Sequence, residues 1–534
     1  MAHKSVMTHQ FSQVPQAHIP RSSLDRSHGY KTTFDAGYLV PIFIDEVLPG
    51  DTFNLKASLF ARFATPIVPL MDNMFMDTFF FFVPNRLIWS NFQKFMGEQE
   101  NPSDSIDYLV PQVAAPEGGW PSCSLSDYFG IPTLVDNIKA DSFWHRAYNL
   151  IWNEWFRDEN LQESVPVPKG DGPDDPNDFK LLRRGKRHDY FTSCLPWPQK
   201  GPGVEIPLGT TANVISTGDI VFSSRSIADS AIAPSGTLFQ YNMSGEPVGV
   251  NNVSWRDGAS NVSAGAGGVL QYQSGLKVDL SSATAVTINS LRQAFQIQKL
   301  YEALGRSGSR YIEIIRGVFG IVSPDARLQR PEYLGGSSSR ILINPVAQTS
   351  STDNVSPQGN LSAFGVVSDQ IHGFTKSFVE HGVVIGLVNV RADLTYQQGL
   401  DRMFSRRTRE DFYWPQFAHL GEQAVLNEEI YAQGTPQDKE VFGYQERFAE
   451  YRYKPSKITG KFRSNDPQSL DAWHLSQDFD NLPALNASFI EDDPPIDRVI
   501  AVPSEPHFLF DAYFKFNCVR PLSVYSVPGL VDHF

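Results

Sequence analysis

Residues 52–63, TFNLKASLFARF, alternate without a break. Phe53, Leu55, Ala57, Leu59, Ala61 and Phe63 fall on one side; Asn54, Lys56, Ser58 and Arg62 supply most of the other. A period of two predicts a half-buried β-strand. Near the far end HFLFDAYFKFNCV repeats the pattern, with Phe508, Phe510, Ala512, Phe514, Phe516 and Cys518 opposite Asp511, Lys515 and Asn517. MDTFFFFVPNR is different. Phe79, Phe81 and Val83 face one way and Phe80 and Phe82 the other, so a strand here is apolar on both faces and must be covered on both. It is too short to cross a bilayer as a helix, which takes about 20 apolar residues. YIEIIRGVFGIV (311–322) and FVEHGVVIGLVNVRADL (378–394) also read as strands.

Strands near both ends and far apart in the middle imply non-local antiparallel pairing, as in a Greek-key sandwich or barrel. A βαβ fold needs regularly interleaved helices, and the pattern predicts only two. WHRAYNLIWNEWFRDENL (144–161) places Tyr148, Trp152, Trp155 and Phe156 on one helical face. SLRQAFQIQKLYEALGR (290–306) offers Ser290 as N-cap and Gly305 as stop. Residues 1–30 are polar and read as an extended arm ordered against a neighbour, or as a frayed terminus. Residues 201–290 hold three basic and six acidic side chains in a Gly, Ser, Ala, Val and Asn background. That is too long for an ordinary loop and reads as a small β-like surface insertion that packs with copies of itself.

Composition narrows the class. Among 534 residues 19% are charged and 12% aromatic, with 39 Gly and 37 Pro, as expected of short strands joined by many turns. A net charge of -14 excludes a uniformly basic nucleic-acid coat. The three cysteines, Cys123, Cys194 and Cys518, are far apart and read as free thiols, a single disulfide being the alternative. MAHKSVMTHQFSQVP lacks the apolar stretch of a signal peptide, and no segment approaches eighteen apolar residues; neither secretion nor membrane insertion is expected.

Motifs for catalysis are missing: there is no CxxC pair, HExxH or GxxxxGK[ST], and the His are scattered. GRSGSR (305–310) looks superficially phosphate-friendly, but such a turn is common by chance. The one dense acidic group, EDDPPID, offers Glu491, Asp492, Asp493 and Asp497 as weak candidates for a divalent cation, its prolines pointing to an exposed turn. No cofactor is expected. Basic clusters carry more information. LLRRGKRH holds Arg183, Arg184, Lys186 and Arg187; DRMFSRRTRE holds Arg402, Arg406, Arg407 and Arg409. QERFAEYRYKPSKITGKFR holds Arg447, Arg452, Lys454, Lys457, Lys461 and Arg463, with Phe448, Tyr451, Tyr453 and Phe462 between them. Cations for phosphates and rings for bases are the ingredients of single-strand nucleic-acid binding. A solvated or subunit-facing charged surface is the competing reading of each cluster.

Laid end to end, several stretches resemble one family. FSQVPQAHIPRSSLDRSHGYKTTFDAGYLVPIFIDEVLPGDTFNLK, MDTFFFFVPNRLIW, NFQKFMGEQ, GGSSSRILINPV, GLDRMFSRRTREDFYWPQFAHLGEQAV, YQERFAEYRYKPSKITGKFR and WHLSQDFDNLPALNASFIEDDPP are similar to the major capsid proteins of microviruses, small icosahedral single-stranded DNA bacteriophages, and among them the gokushovirus subfamily. The likeness runs from Phe11 to the C-terminus, with 201–290 matching in composition and place only. It implies an all-β fold dominated by an eight-stranded antiparallel jelly roll, with long loop insertions and a few short helices. It also implies a single capsid domain over 31–534, and a T=1 shell of sixty copies around a circular single-stranded DNA genome. Segment 201–290 would form a threefold protrusion that meets a host surface receptor. A small basic DNA-binding viral protein would be a further partner. The chain would assemble in the host bacterial cytoplasm and reside in the virion.

On that reading Phe79, Phe80, Phe81, Phe82, Phe508, Phe510, Phe514 and Phe516 form the core and the packing between layers, and an insertion or neighbouring subunit covers the outer face of the phenylalanine strand. The 447–463 segment faces the DNA, with 402–409 a second candidate. Shell and genome share a sign of charge, so local basic patches, cations or the basic partner must offset repulsion. A carbohydrate-binding or carbohydrate-processing β-sandwich and a receptor-binding spike are the alternatives; the first needs paired carboxylates in a cleft, the second a repetitive shaft.

Overall fold

A computed structural model describes residues 20–204, 288–325, 329–349, 352 and 358–525, together with the backbone of six short strands between 213 and 279. The chain divides into two compact units, 1–200 with 302–534, and 201–301. Two main sheets of the larger unit hold ten of its described strands: β1 (Ser22–Asp25), β2 (His28–Phe34), β3 (Val40–Val47), β4 (Thr52–Phe63), β5 (Met74–Pro84), β6 (Glu332–Arg340), β7 (Leu342–Ala347), β8 (Leu361–Ser377), β9 (Gly382–Ala392) and β10 (Phe508–Arg520). One sheet runs β1–β10–β4–β8–β7, with β2 also on β10; the other runs β6–β5–β9–β3. Every pairing in both is antiparallel. The first and last strands of the sandwich are therefore neighbours, as the distant alternating segments require.

Alternation fixes the register. Phe508 lies opposite Phe63 and Phe516 opposite Leu55, so the apolar sides of β4 and β10 point the same way. Phe53, Leu55, Phe63, Phe80, Phe82, Phe508, Phe510, Phe514 and Phe516 are buried together between the sheets. Gly386 and Gly382 on β9 make room for the rings. A Cβ at Gly386 meets Phe80 Cε1 at 2.7 Å, and one at Gly382 runs into Phe82 Cε2.

The other face of β5 has its own cover. Phe81 and Val83 are buried with Trp89, Tyr148, Trp152, Ile385 and Leu387, while Phe79 is half-buried at the margin. The cover is the 85–182 segment, led by helix α1 (Phe143–Ile151), which runs on into a π-helical turn at Trp152–Phe156. Phe81 lies 5.4 Å from the Trp155 ring and 5.8 Å from Phe156. Of the two covers expected, the chain's own insertion does the work and no neighbouring subunit is required at Phe81. Arg146, 0% exposed, ties this layer down: it pairs with Asp174 (2.6 Å) and donates to the carbonyls of Ile88 and Gly170. Tyr148 Oη donates to the Leu39 carbonyl at 2.8 Å.

Several expectations change. Residues 311–322 are not a strand: Tyr311–Ile314 is helical and continues as a π-helical turn over Ile315–Phe319, stopped by Gly320 at φ +69°. Its β-branched residues resemble a strand, but Glu313 reaches back to the Arg310 backbone N–H (3.2 Å) and starts a helix instead. The 144–161 helix ends at Phe156, because Arg157 is extended. Helix α2 spans Ile288–Arg306, so Ser290 sits inside it and Gly305 precedes its last residue. From Ser22 on, the expected arm is paired with β10 of its own chain, and residues 1–19 lie outside the described residues. Of the 201–290 insertion the structure describes three antiparallel pairs: 213–216 with 276–279, 222–225 with 269–272, and 254–257 with 260–263. The pairs nest, each inside the one before.

Candidate functional site

After β9 a second insertion, 393–507, builds a small core from Tyr396, Val425, Ile430, Phe442, Ala449 and Phe489 together with Tyr190, Phe191 and Cys194 of the earlier excursion. Two of the predicted basic clusters meet on it. The strand pair Glu422–Leu426 with Val441–Glu446 supplies a base. Phe448, in the left-handed region at φ 62°, turns the chain from that pair into the short helical turn Ala449–Tyr451. A parallel bridge of Thr395–Tyr396 with Ser456–Lys457 returns the segment to the end of β9. Asp401, Arg402, Arg406, Tyr451, Tyr453 and Lys454 thereby line one pocket of about 160 Å³.

Acids neutralise much of this charge: Asp401, Glu410, Glu446 and Glu450 from within the two runs, and Glu429 from outside them. Arg402 pairs with Glu429 (3.2 Å) and donates to the Ala424 carbonyl (2.7 Å). Burial works against its charge, yet Glu429, Tyr190 and Glu450 together offset this and raise the guanidinium above its ordinary range. Glu429 itself is pushed up by burial, and its other oxygen accepts from Tyr190 Oη at 2.8 Å. Arg406 pairs with Glu450 (3.3 Å) and lies 4.5 Å over the Tyr451 ring and 5.3 Å over Phe412. Arg452 pairs with Glu446, Lys454 (3.8 Å) and Lys457 with Asp401, and Arg409 with Glu410 (2.6 Å). Arg463 donates to the Gln397 carbonyl and Lys461 to the Gln468 amide. Arg447 stacks on Phe448 at 4.8 Å, its Nε–H without an acceptor; Arg407 is exposed and enters no ion pair among the described residues.

What the basic clusters did not reveal is the aromatic rim. Phe404, Phe412, Tyr413 and Trp414 are exposed beside the exposed Tyr451 and Tyr453, and Tyr413 packs edge-on against Phe448 (5.2 Å). The signal lay in EDFYWPQF, directly after the second basic run. Large rings left at the surface in one region mark an interaction site.

The acidic group disperses. Glu491 accepts from Gln162, Asp493 pairs with Arg183 (2.8 Å), and Asp497 meets His507 (3.1 Å). Asp492 is 2% exposed, not part of an exposed turn, and burial pushes its carboxyl up to about 7. Among the described residues no three His, Cys, Asp or Glu side chains come together as metal ligands. Cys123, Cys194 and Cys518 are free thiols, and no helix among the described residues is long and apolar enough to cross a membrane.

An antiparallel sandwich whose 393–507 insertion carries a largely self-neutralised, ring-rimmed surface, with no constellation for bond-making among the described residues, is the make-up of a structural subunit that meets other molecules by surface contact. Comparison with known proteins gives that class its family. Residues 12–530 match the capsid protein (F protein) family, and the chain belongs to it. It is 49% identical over 537 residues to capsid protein VP1 of Bdellovibrio phage phiMH2K, covering 98% of both chains. It is 48% identical over 585 residues to that of Chlamydia phage 1, again 98% of both. With that of Spiroplasma virus 4 it shares 37% over 558 residues and 99% of each chain. The chain is a structural, non-enzymatic capsid protein that self-assembles in many copies into the virion coat.

Proposed function

We propose that sixty copies of the chain close a T=1 icosahedral shell around a circular single-stranded DNA genome, each contributing an eight-stranded jelly roll to its wall. Strand order is the observation that carries this reading. Counting β7 as an added edge and β1 as an extension of β2, the sheets run β2–β10–β4–β8 and β3–β9–β5–β6. Successive strands alternate between sheets except where the long excursion joins β5 to β6, which is how a jelly roll is wound. The 201–290 insertion, nested in pairs and poor in charge, forms a protrusion where three subunits meet and contacts the host receptor. Small side chains permit close approach, and little charge leaves little to desolvate. A small basic viral protein offsets the acidity that shell and genome share. Assembly takes place in the host bacterial cytoplasm.

Within this shell the surface of Arg402, Arg406, Arg407, Arg409 and 447–463 faces the DNA, where Tyr451 and Tyr453 meet bases and unneutralised Arg407 and Lys461 meet phosphates. The ion pairs of Arg402, Arg406 and Arg452 favour a second reading, contact with another copy of the chain, in which paired charges and exposed rings pack against a neighbour. Particles carrying Arg452→Glu with Lys454→Glu separate the two. Loss of packaged DNA from intact particles supports the DNA-facing surface. Loss of particles supports the subunit contact, and wild-type yield of filled particles refutes both.

A further inference from the structure

The basic run Arg183–Arg187 joins neither surface. It crosses the margin of β5 and, with the π-helical turn after α1 and the Arg310–Glu313 turn, lines a partly open cavity of about 700 Å³. That volume falls within the range of small-ligand sites, about 300–1,000 Å³. Its lining combines rings, from Phe79, Phe81, Trp155, Phe156 and Tyr333, with cations, from Arg157, Arg184, Lys186, Arg187, Arg310 and Arg391, and Arg184 lies over the Phe79 (4.7 Å) and Phe156 (5.7 Å) rings.

In the lining itself six cations meet three acids, Asp158, Glu159 and Glu313. Arg310 is taken up by Glu159 and Glu313. Arg187 lies 3.3 Å from Asp393. Arg184 (2.6 Å) and Arg391 (3.2 Å) share a single carboxylate, Asp77. Lys186 Nζ donates only to neutral oxygens, of Gln477 and of the Phe489 backbone, and Arg157 Nη1 to the Gln162 carbonyl. Asp492 lies behind the lining; burial pushes its carboxyl up to about 7 against the pull of Arg391, Lys186, Arg184 and Arg183. The buried Nε–H groups of Arg157, Arg187, Arg310 and Arg391 have no acceptor. Buried donors without acceptors are uncommon and call for a partner.

A purely apolar ligand leaves these donors unmet, and an inorganic anion leaves the rings unused. The ligand that meets both has a flat ring and a phosphate: guanidiniums grip phosphate oxygens bidentately, and rings stack on bases. We propose that the cavity binds one nucleotide unit, its base against Trp155 and Tyr333 and its phosphate on Arg187 and Arg157. The unit comes either from the enclosed strand or from free nucleotide; only the first source rests on the DNA-enclosing shell.

Full-length chain titrated with dTMP, with an oligothymidylate of about ten units and with an abasic oligomer of equal length provides the test, read by Trp155-sensitive fluorescence. dTMP and the oligomer are expected to bind and the abasic strand at least about tenfold more weakly. Oligomer binding much tighter than dTMP assigns the strand; comparable binding assigns free nucleotide. Arg187→Gln and Tyr333→Ala, at positions 31% and 40% exposed and so compatible with folding, each weaken binding about tenfold or more. No binding at millimolar dTMP or oligomer, equal binding of the abasic strand, or indifference to both variants overturns the proposal. Particle formation by the same variants is read separately, so a failure of the shell reading stays distinguishable.

Discussion

Replacing Phe80 and Phe79 in turn by alanine tests how the doubly apolar strand is sealed. Phe80 is 0% exposed between the sheets, with Phe374 and Phe43 rings 5.7 and 6.2 Å away. A fully buried Phe removes about 150–250 Å² from water, worth about 4–6 kcal/mol at 25 cal/mol per Å² for the whole side chain. Alanine keeps part of that area, while the sheets are too well paired to collapse into the vacated space, so the expected cost is about 3–5 kcal/mol. Against a total stability of about 5–15 kcal/mol this removes a large share of soluble folded chain. Phe79 is half-buried, with the Arg184 guanidinium 4.7 Å over its ring, and Phe79→Ala is expected to cost about 1–2 kcal/mol. Urea unfolding of the unassembled chains, followed by tryptophan emission, reads both. Equal costs at the two positions refute the assignment of Phe80 to the inner core and Phe79 to the margin.

Other consequences follow from individual contacts. Gly386→Ala drives a methyl into the Phe80 and Phe43 side chains and is expected to cost about 1–3 kcal/mol by the same unfolding assay; a neutral result means the rings are free to move. Arg146→Ala strands buried Asp174 and is expected to cost about 3–5 kcal/mol, whereas Arg146→Met with Asp174→Leu costs clearly less; similar losses in both variants argue against a charge-pair origin. Asp492, raised to about 7 in the folded chain, binds its proton there but not in the unfolded chain between about pH 4 and 7. Its contribution to stability is therefore lost as pH rises through that window, and Asp492→Asn is expected to flatten the fall. Parallel pH profiles of parent and variant contradict this.

Legibility followed locality. β4 and β10 were readable because one face meets the core and the other meets solvent, so alternation survives in the string. MDTFFFFVPNR declared that both its faces are covered, but not by what, since Trp152, Trp155 and Phe156 lie far along the chain and their role depends on how α1 docks. Residues 311–322 misled because β-branched composition imitates a strand, and a helix start set by Glu313 overrides it. The basic surface was visible as residue types, yet its charge balance was not. Glu429 and Asp401 reach Arg402, Lys454 and Lys457 only through the fold of the second insertion. Asp492 looked exposed between acids and prolines; its burial comes from packing against the basic run that ends at Arg187, some three hundred residues earlier.

A density map of particles assembled from this chain tests the account most directly. It predicts a closed hollow shell in which every subunit's 85–182 layer lies over β5, with Phe81 against Trp155 and Phe156 of the same chain. A chain that never closes into particles, or a map in which a neighbouring copy supplies the cover over Phe81, contradicts it.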